Sequence, residues 1–330
     1  MGQLIDGAWH VNPPEKGATD GEFKRPNASF RNWITADGSP GPSGDGGYPA
    51  ESGRYHLYVS YACPWAHRSL IFRKLKGLES HIGSSVVHPD MLDDGWKLDP
   101  DFPGATGDTL YGVDFLRDIY TRARPDVTAR VTVPVLWDKK TETIVSNESS
   151  EIIRMFNSAF DEITGDTQDF WPEELREKIE PINERIYDTL NNGVYRAGFA
   201  TSQKAYDRAA GALFDTLDWL EDLLSRNRYL TGDRITEADW RLFPTLVRFD
   251  SVYHGHFKCN RTRIVDYPNI WGHTRELFQW VAPDHSRVGD TVHLDHITRH
   301  YHYSHESINP HRIVPIGPLL DFDAPHGRRS

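Results

Sequence analysis

Cys63 ends the apolar run "YHLYVSYA" and stands directly before Pro64, where the helical spacing of Leu70, Ile71 and Leu75 begins. A cysteine at that position is a helix N-cap, with its sulfur facing the unpaired N–H groups of the first turn and the positive end of the helix dipole. Both favour thiolate over thiol, and a thiolate near neutral pH is a nucleophile. Pro64 loses nothing there, since its missing N–H would have been unpaired anyway. Arg68, one turn later, adds positive charge. A second fate is open to a lone cysteine, that of a buried structural thiol. The other cysteine, Cys259 in "GHFKCNRTR", has no proline beside it and no evident helix start, and reads as a bystander. A different chemistry is suggested by "HITRHYHYSHESINPH". His296 and His300 are four apart on a helix, and His302 and His305 follow. No cysteine or acidic cluster completes a ligand set, so the expectation is no metal.

The elements that must hold Cys63 follow from pattern. Residues 1–54 read as an irregular arm, because "GSPGPSGDGGYPAESG" cannot propagate a helix or strand. Its aromatics Trp9, Phe23, Phe30 and Trp33 suggest that much of it packs against something. Residues 55–160 give the order β-α-β-α-β-β-α, from "YHLYVSY" through "PWAHRSLIFRKLKG", "SSVVHPDML", "VDFLRDIYTRA", "VTVPVLWDKKTETIVSNE" and "SSEIIRMFNSAF". Pro134 sits inside a strand-like run, an unusual place that raises the question of a cis X–Pro bond. From 172 to 330 the chain reads as helix after helix. Leu213, Leu217, Leu220 and Leu224 make one apolar stripe, and Thr236 with Asp239 forms a capping box, with Ile235 placed to staple onto Trp240. An α/β unit followed by an all-α unit fits two domains.

Composition narrows the class. The 330 residues include 38% hydrophobic and 12% aromatic side chains, enough for a substantial core. A formal charge of −11 argues against a nucleic-acid partner. No apolar run spans a bilayer, no secretory signal opens the chain, and Asp6 breaks the myristoylation pattern after Gly2. Two distant cysteines make a poor disulfide framework and point to a reducing compartment, here the cytoplasm.

Cysteine-proline at the first helix, valine before the strand proline, and Glu148-Ser149 opening a later helix look like the glutathione site of the glutathione transferases. The segments "CPWAHR", "DGWKLDP", "VTVPVLWD", "NESSEIIRMFN", "YLTGDRITEADWRLFPTLVRFDSVYHGHFKCN" and "HYHYSHESINPHRIVPIGP" resemble the glutathionyl-hydroquinone reductases, the xi class of that superfamily, from about residue 20 to 320. The resemblance implies a thioredoxin-like α/β domain, with a mixed sheet and a cis proline at Pro134, followed by an all-α substrate and dimerisation domain. It implies glutathione as co-substrate, bound by Trp96, Arg130, Val133, Glu148 and Ser149. Val133 would pair its backbone with the cysteinyl part of glutathione, as an edge strand captures a peptide. Tyr195, Tyr253 and Tyr301 match the tyrosines lining the hydroquinone pocket. The family usually reads His-Tyr-Tyr where this chain has His300-Tyr301-His302, which leaves open whether Tyr303 shares the role of Tyr301.

With one cysteine in Cys63-Pro64-Trp65-Ala66, a mixed disulfide must await an external thiol. The expected cycle is attack of Cys63 on the sulfur of a glutathionyl-hydroquinone, release of hydroquinone, and reduction of the Cys63–glutathione disulfide by a second glutathione. The resemblance also implies a homodimer paired through the helical domains. Two other functions remain in view. An omega-like thioltransferase or dehydroascorbate reductase shares the cysteine chemistry and differs in its relative rate on a simple mixed disulfide. An idle transferase fold serving protein interaction would not bind glutathione.

Overall fold

The computed structural model describes residues 2–11, 20–23, 25–44 and 46–328. Residues 1, 12–19, 24 and 45 of the expected arm, and the last two of the expected 172–330 unit, lie outside the described residues. The arm is more ordered than its composition suggests. Strands β1 (Gln3–Ile5) and β2 (Ala8–His10) form an antiparallel hairpin, turned at Asp6 and Gly7 with φ of 48° and 78°. Asp-Gly is a pair that tolerates such a turn. Leu4 exchanges backbone hydrogen bonds with Ala129, fixing the hairpin to the domain. Strands β3 (Trp33–Thr35) and β4 (Gly47–Pro49) pair in parallel. Gly47 is required there, since a Cβ would stand 2.1 Å from the Ser39 carbonyl oxygen. Ladder bonds and the burial of Leu4, Phe30, Trp33 and Ile34 thus order a segment that turn residues alone leave irregular.

The central sheet contains β5 (Tyr55–Val59), β6 (Gly83–Val86), β7 (Val135–Asp138) and β8 (Thr143–Ser146) in the order β6-β5-β7-β8. β5 runs parallel to β6, while β7 is antiparallel to both of its neighbours. All five residues of β5 are buried, so both faces of this strand are covered. The helices of this domain are α1 (Pro64–Leu75), α2 (Leu116–Ala123) and α3 (Ser149–Ser158), with α1 and α3 packed side by side. The Val133–Pro134 peptide is cis. The mixed sheet of a thioredoxin-like domain is therefore present, and a short α4 (Asp161–Thr164) leads out of it.

The rest is helical: α5 (Arg176–Ile186), α6 (Gly193–Gly198), α7 (Gln203–Arg226), α8 (Glu237–Arg248), α9 (Pro268–Phe278) and α10 (Leu294–Ser304). The leucine stripe of α7 is fully buried, each side chain contributing about 1.5–3 kcal/mol. At the start of α8, Thr236 N–H donates to Asp239 Oδ2 at 2.9 Å, completing the capping box, and Ile235 and Trp240 share one core. The helices are interrupted at two places. A π-helical turn, Tyr187–Asn191, separates α5 from α6, and another, Phe249–Tyr253, continues α8. Each π turn adds a residue and rotates the side chains around it, a device common near functional sites. Tyr195 follows the first turn and Tyr253 ends the second.

Candidate active site

Sheet topology gathers the glutathione-side candidates. β5, β6 and β8 all point the same way, because β7 runs antiparallel to β5 and to β8. Their C-terminal ends therefore share one edge of the domain. Cys63 follows β5, the loop to Trp96 follows β6, Glu148 follows β8, and Val133 enters β7 at that same end. Helices α1 and α3 consequently begin together, with their free N–H groups at this edge.

Cys63 is the N-cap of α1 with extended backbone (φ −78°, ψ 121°) and Pro64 in the first turn. Its Sγ lies 3.6 Å from the Val133 carbonyl oxygen. The side chain is half-buried, and burial pushes the thiol up from its ordinary range. Hydrogen bonds from the Ala66 and Trp65 N–H groups oppose this, as do the charges of Arg248 and Arg25. The helix-terminus argument is right about the direction of those N–H groups, but desolvation outweighs it. The cation expected from Arg68 is also reassigned. Arg68 is buried, donating to Asn191 Oδ1 at 2.7 Å and to the Arg241 carbonyl, where it joins the two domains.

Arg248, at the end of α8, holds the turn that carries the cysteine. It donates to the carbonyls of Ala62 (2.9 Å), Tyr61 (2.9 Å) and Pro244 (2.8 Å), and lies 3.0 Å from His67 Nδ1. The opposite nitrogen of His67 is 2.7 Å from Thr291 Oγ1. Burial and the Arg248 charge hold His67 well below its usual pKa, so it is neutral and accepts from the guanidinium.

The three tyrosines come from different helices and converge. Tyr195 Oη lies 2.5 Å from Tyr301 Oη, and Tyr253 Oη lies 3.2 Å from the same atom. Burial raises the pKa of all three phenols, Tyr253 and Tyr301 well above the ordinary 10, so all are protonated donors at neutral pH. The Cys63 charge raises Tyr195 further, while that of Arg25 lowers it. Gly198 allows the assembly, since a Cβ would stand 2.2 Å from the Phe257 ring that packs on Tyr195. Tyr303 does not join it. Its ring is instead covered by Arg299 at 3.5 Å and Arg312 at 5.3 Å.

Glu148 caps α3, its Oε1 accepting from Ser150 N–H at 3.0 Å and Ser150 Oγ at 2.8 Å, and Ser149 is buried beside it. Trp96 is buried and stacks on His300 at 4.9 Å. Arg130 lies three residues ahead of Val133, next to the Ala129 bridge to Leu4. Cys259 is buried deep in the helical core, and burial pushes its thiol up to about 12. The histidines of the C-terminal segment are used structurally: His296 against Pro103 O at 2.7 Å, His300 against Pro89 O at 2.7 Å, and His305 against His256 at 3.1 Å. Arg25 and Arg248 are the site groups that sequence reasoning missed. Both are distant in the chain from Cys63, and neither sits in a pattern that marks it.

Comparison with known proteins accords with this architecture. Residues 62–159 match the glutathione S-transferase N-terminal domain and residues 203–276 the glutathione S-transferase C-terminal domain. The glutathionyl-hydroquinone reductase YqjG of Escherichia coli is 58% identical, over 99% of this chain and 98% of its own. Its glutathione-bound structure superposes with a TM-score of 0.91, covering 99% of both chains. The glutathionyl-hydroquinone reductase PcpF of Sphingobium chlorophenolicum is 50% identical over 96% of each chain. A xi-class glutathione transferase from Natrialba magadii superposes with a TM-score of 0.89 at 50% identity, over 99% of this chain and 96% of its own. With a sulfur nucleophile candidate at a thioredoxin-type helix start and relatives this similar over nearly its whole length, the chain belongs to the glutathionyl-hydroquinone reductases, the xi class of the glutathione transferases.

Proposed function

We propose that this protein reduces glutathionyl-hydroquinones to hydroquinones, with glutathione as the second substrate. One observation carries the reading: the half-buried Cys63 sulfur caps the start of α1 beside the Val133 carbonyl, in a chain whose helical domain brings three phenols together. Val133, Glu148 and Ser149 hold glutathione at the shared edge where α1 and α3 begin, its carboxylate facing free N–H groups, with Trp96 and Arg130 completing the site. A phenol protonates the ring carbon that bears sulfur while the conjugated ring hydroxyl gives its proton back to the tyrosine set, giving the keto tautomer. The Cys63 thiolate then attacks the sulfur; the S–S bond forms, the C–S bond breaks, and the electron pair passes to the ring oxygen. Hydroquinone leaves after that oxygen is protonated. A second glutathione thiolate attacks the Cys63–glutathione disulfide, releasing oxidised glutathione and the Cys63 thiolate.

Protonated tyrosines suit both acid tasks, and neither step calls for a metal. The omega-like disulfide reduction uses the second half of this cycle and is a side activity. Free thiols suit a reducing compartment, and we assign the protein to the cytoplasm; among the described residues no helix is long and apolar enough to cross a membrane. The test is Cys63→Ser. A serine hydroxyl is not ionised at pH 7 and forms no disulfide, so hydroquinone release falls to background while glutathione still binds. Oxidised glutathione labels wild-type Cys63, and glutathione removes the label, as read by peptide mass spectrometry. A fully active Cys63→Ser enzyme, or an adduct confined to Cys259, overturns the reading.

A further inference from the structure

The N-terminal arm delivers a cation to this site. Arg25 donates from Nε to Asn192 Oδ1 at 2.8 Å, on the residue that joins the Tyr187–Asn191 turn to α6. Its guanidinium lies over the ring of Trp65 (4.8 Å), that of Tyr195 (4.9 Å) and that of Phe23 (5.5 Å). Trp65 is two residues from Cys63 and Tyr195 is one of the three phenols, so the charge sits over one ring from each half of the site. Both the sulfur and the Tyr195 hydroxyl respond to it, each being drawn toward its anionic form.

The other arginines near the sulfur are buried. Arg248 is engaged with three carbonyls and His67, and Arg68, which also lies over Trp65 at 4.7 Å, donates to Asn191 and the Arg241 carbonyl at the domain junction with one buried nitrogen unpartnered. Arg25 is exposed, and among the described residues its two terminal nitrogens make no hydrogen bond or ion pair. The buried indole N–H of Trp65, beneath it, has no acceptor either. Fixed through Nε and by ring contacts, with its remaining donors unclaimed, this guanidinium is arranged to receive an oxygen anion.

Given the proposed reductase reaction, on which this rests, an anion forms at a defined moment. When the C–S bond breaks, the electron pair arrives on the ring oxygen as a phenolate. We propose that Arg25, carried in by the arm, contacts that ring oxygen and stabilises the phenolate of the departing hydroquinone. The arm is then part of the substrate site, and the substrates favoured are rings bearing a hydroxyl next to or conjugated with the carbon–sulfur bond.

Arg25→Gln and Arg25→Lys test this against two substrates, a glutathionyl-hydroquinone and a small alkyl–glutathione mixed disulfide, whose thiolate leaving group needs no ring-oxygen contact. Arg25→Gln lowers hydroquinone release by about 100-fold, the low end for a lost oxyanion donor. Its mixed-disulfide reduction changes by a few-fold at most, and Arg25→Lys recovers part of the hydroquinone rate. Across a series of ring-substituted hydroquinones, Arg25→Gln depends more steeply on phenol acidity, because acidic phenols need the cation least. Equal losses on both substrates with an unchanged acidity slope make Arg25 a pin for the arm and overturn the inference. If Cys63→Ser turns over glutathionyl-hydroquinone at the wild-type rate, the reductase reading itself has failed and this inference falls with it.

Discussion

At the scale of single residues, the proposed cycle separates sulfur chemistry from leaving-group chemistry. In it Cys63 and the groups at the start of α1 serve every disulfide step, whereas the phenols serve only a substrate whose departing ring needs protons. Tyr195→Phe and Tyr253→Phe each remove a hydroxyl while keeping the ring, so packing around Phe257 persists. Each is expected to slow hydroquinone release by about 10²–10³-fold if it donates directly, and by less if Tyr301 compensates. Reduction of a small mixed disulfide should change little. Steady-state rates with both substrates check this; parallel losses would assign the tyrosines to packing.

At the scale of elements, α10 is clasped to the thioredoxin-like domain by neutral histidines. Burial pushes His300, which meets the Pro89 carbonyl and faces Asp90, Arg248 and His296, down to about 4. Burial likewise pushes His256, against His302, Lys258 and His300, to about 3. In the unfolded chain both protonate near 6.5, so between pH 6.5 and about 4 the unfolded state binds more protons than the folded one. Stability then falls as pH drops, by about 1.4 kcal/mol per pH unit for each group. Calorimetry should give a lower melting temperature at pH 5 than at pH 7, with a shallower fall in His300→Asn. A melting temperature equal or higher at pH 5 would contradict the assignment of these imidazoles as neutral. The same clasp carries Tyr301 into the site, so loosening α10 at low pH should also reduce hydroquinone release.

At the scale of the whole molecule, the C-terminal tail leaves apolar side chains in solvent. Ile313, Ile316 and Leu319 are 68%, 101% and 95% exposed, beside a cavity of about 570 Å³ lined by His254, His302, Ile308 and Pro318. A run of this kind on one molecule suits a two-fold interface through the helical domains. Light scattering at micromolar concentration should give twice 37.8 kDa, and Ile316→Asp with Leu319→Asp should shift the protein toward monomer. A monomeric wild-type mass removes the claim.

Across these scales, what could be seen without coordinates was whatever is written in neighbouring residues. The cysteine N-cap before Pro64, the Thr236–Asp239 box, the leucine stripe of α7 and the Glu148 start of α3 each depend on contacts within a turn or two. Local hydrogen bonding and helical periodicity are enough to predict them. The tyrosines, Arg130 and Trp96 were legible only through family motifs, since a buried tyrosine and a core tryptophan look alike in any helix or loop. The rest depended on long-range packing. Burial reverses the expected fall in the Cys63 pKa, and Arg68 turns inward to the domain junction. Arg248 reaches back some 186 residues to the Ala62 carbonyl, and Arg25 crosses 167 residues to Asn192. Desolvation and charge placement depend on every element packed around a group, and no local pattern encodes that sum.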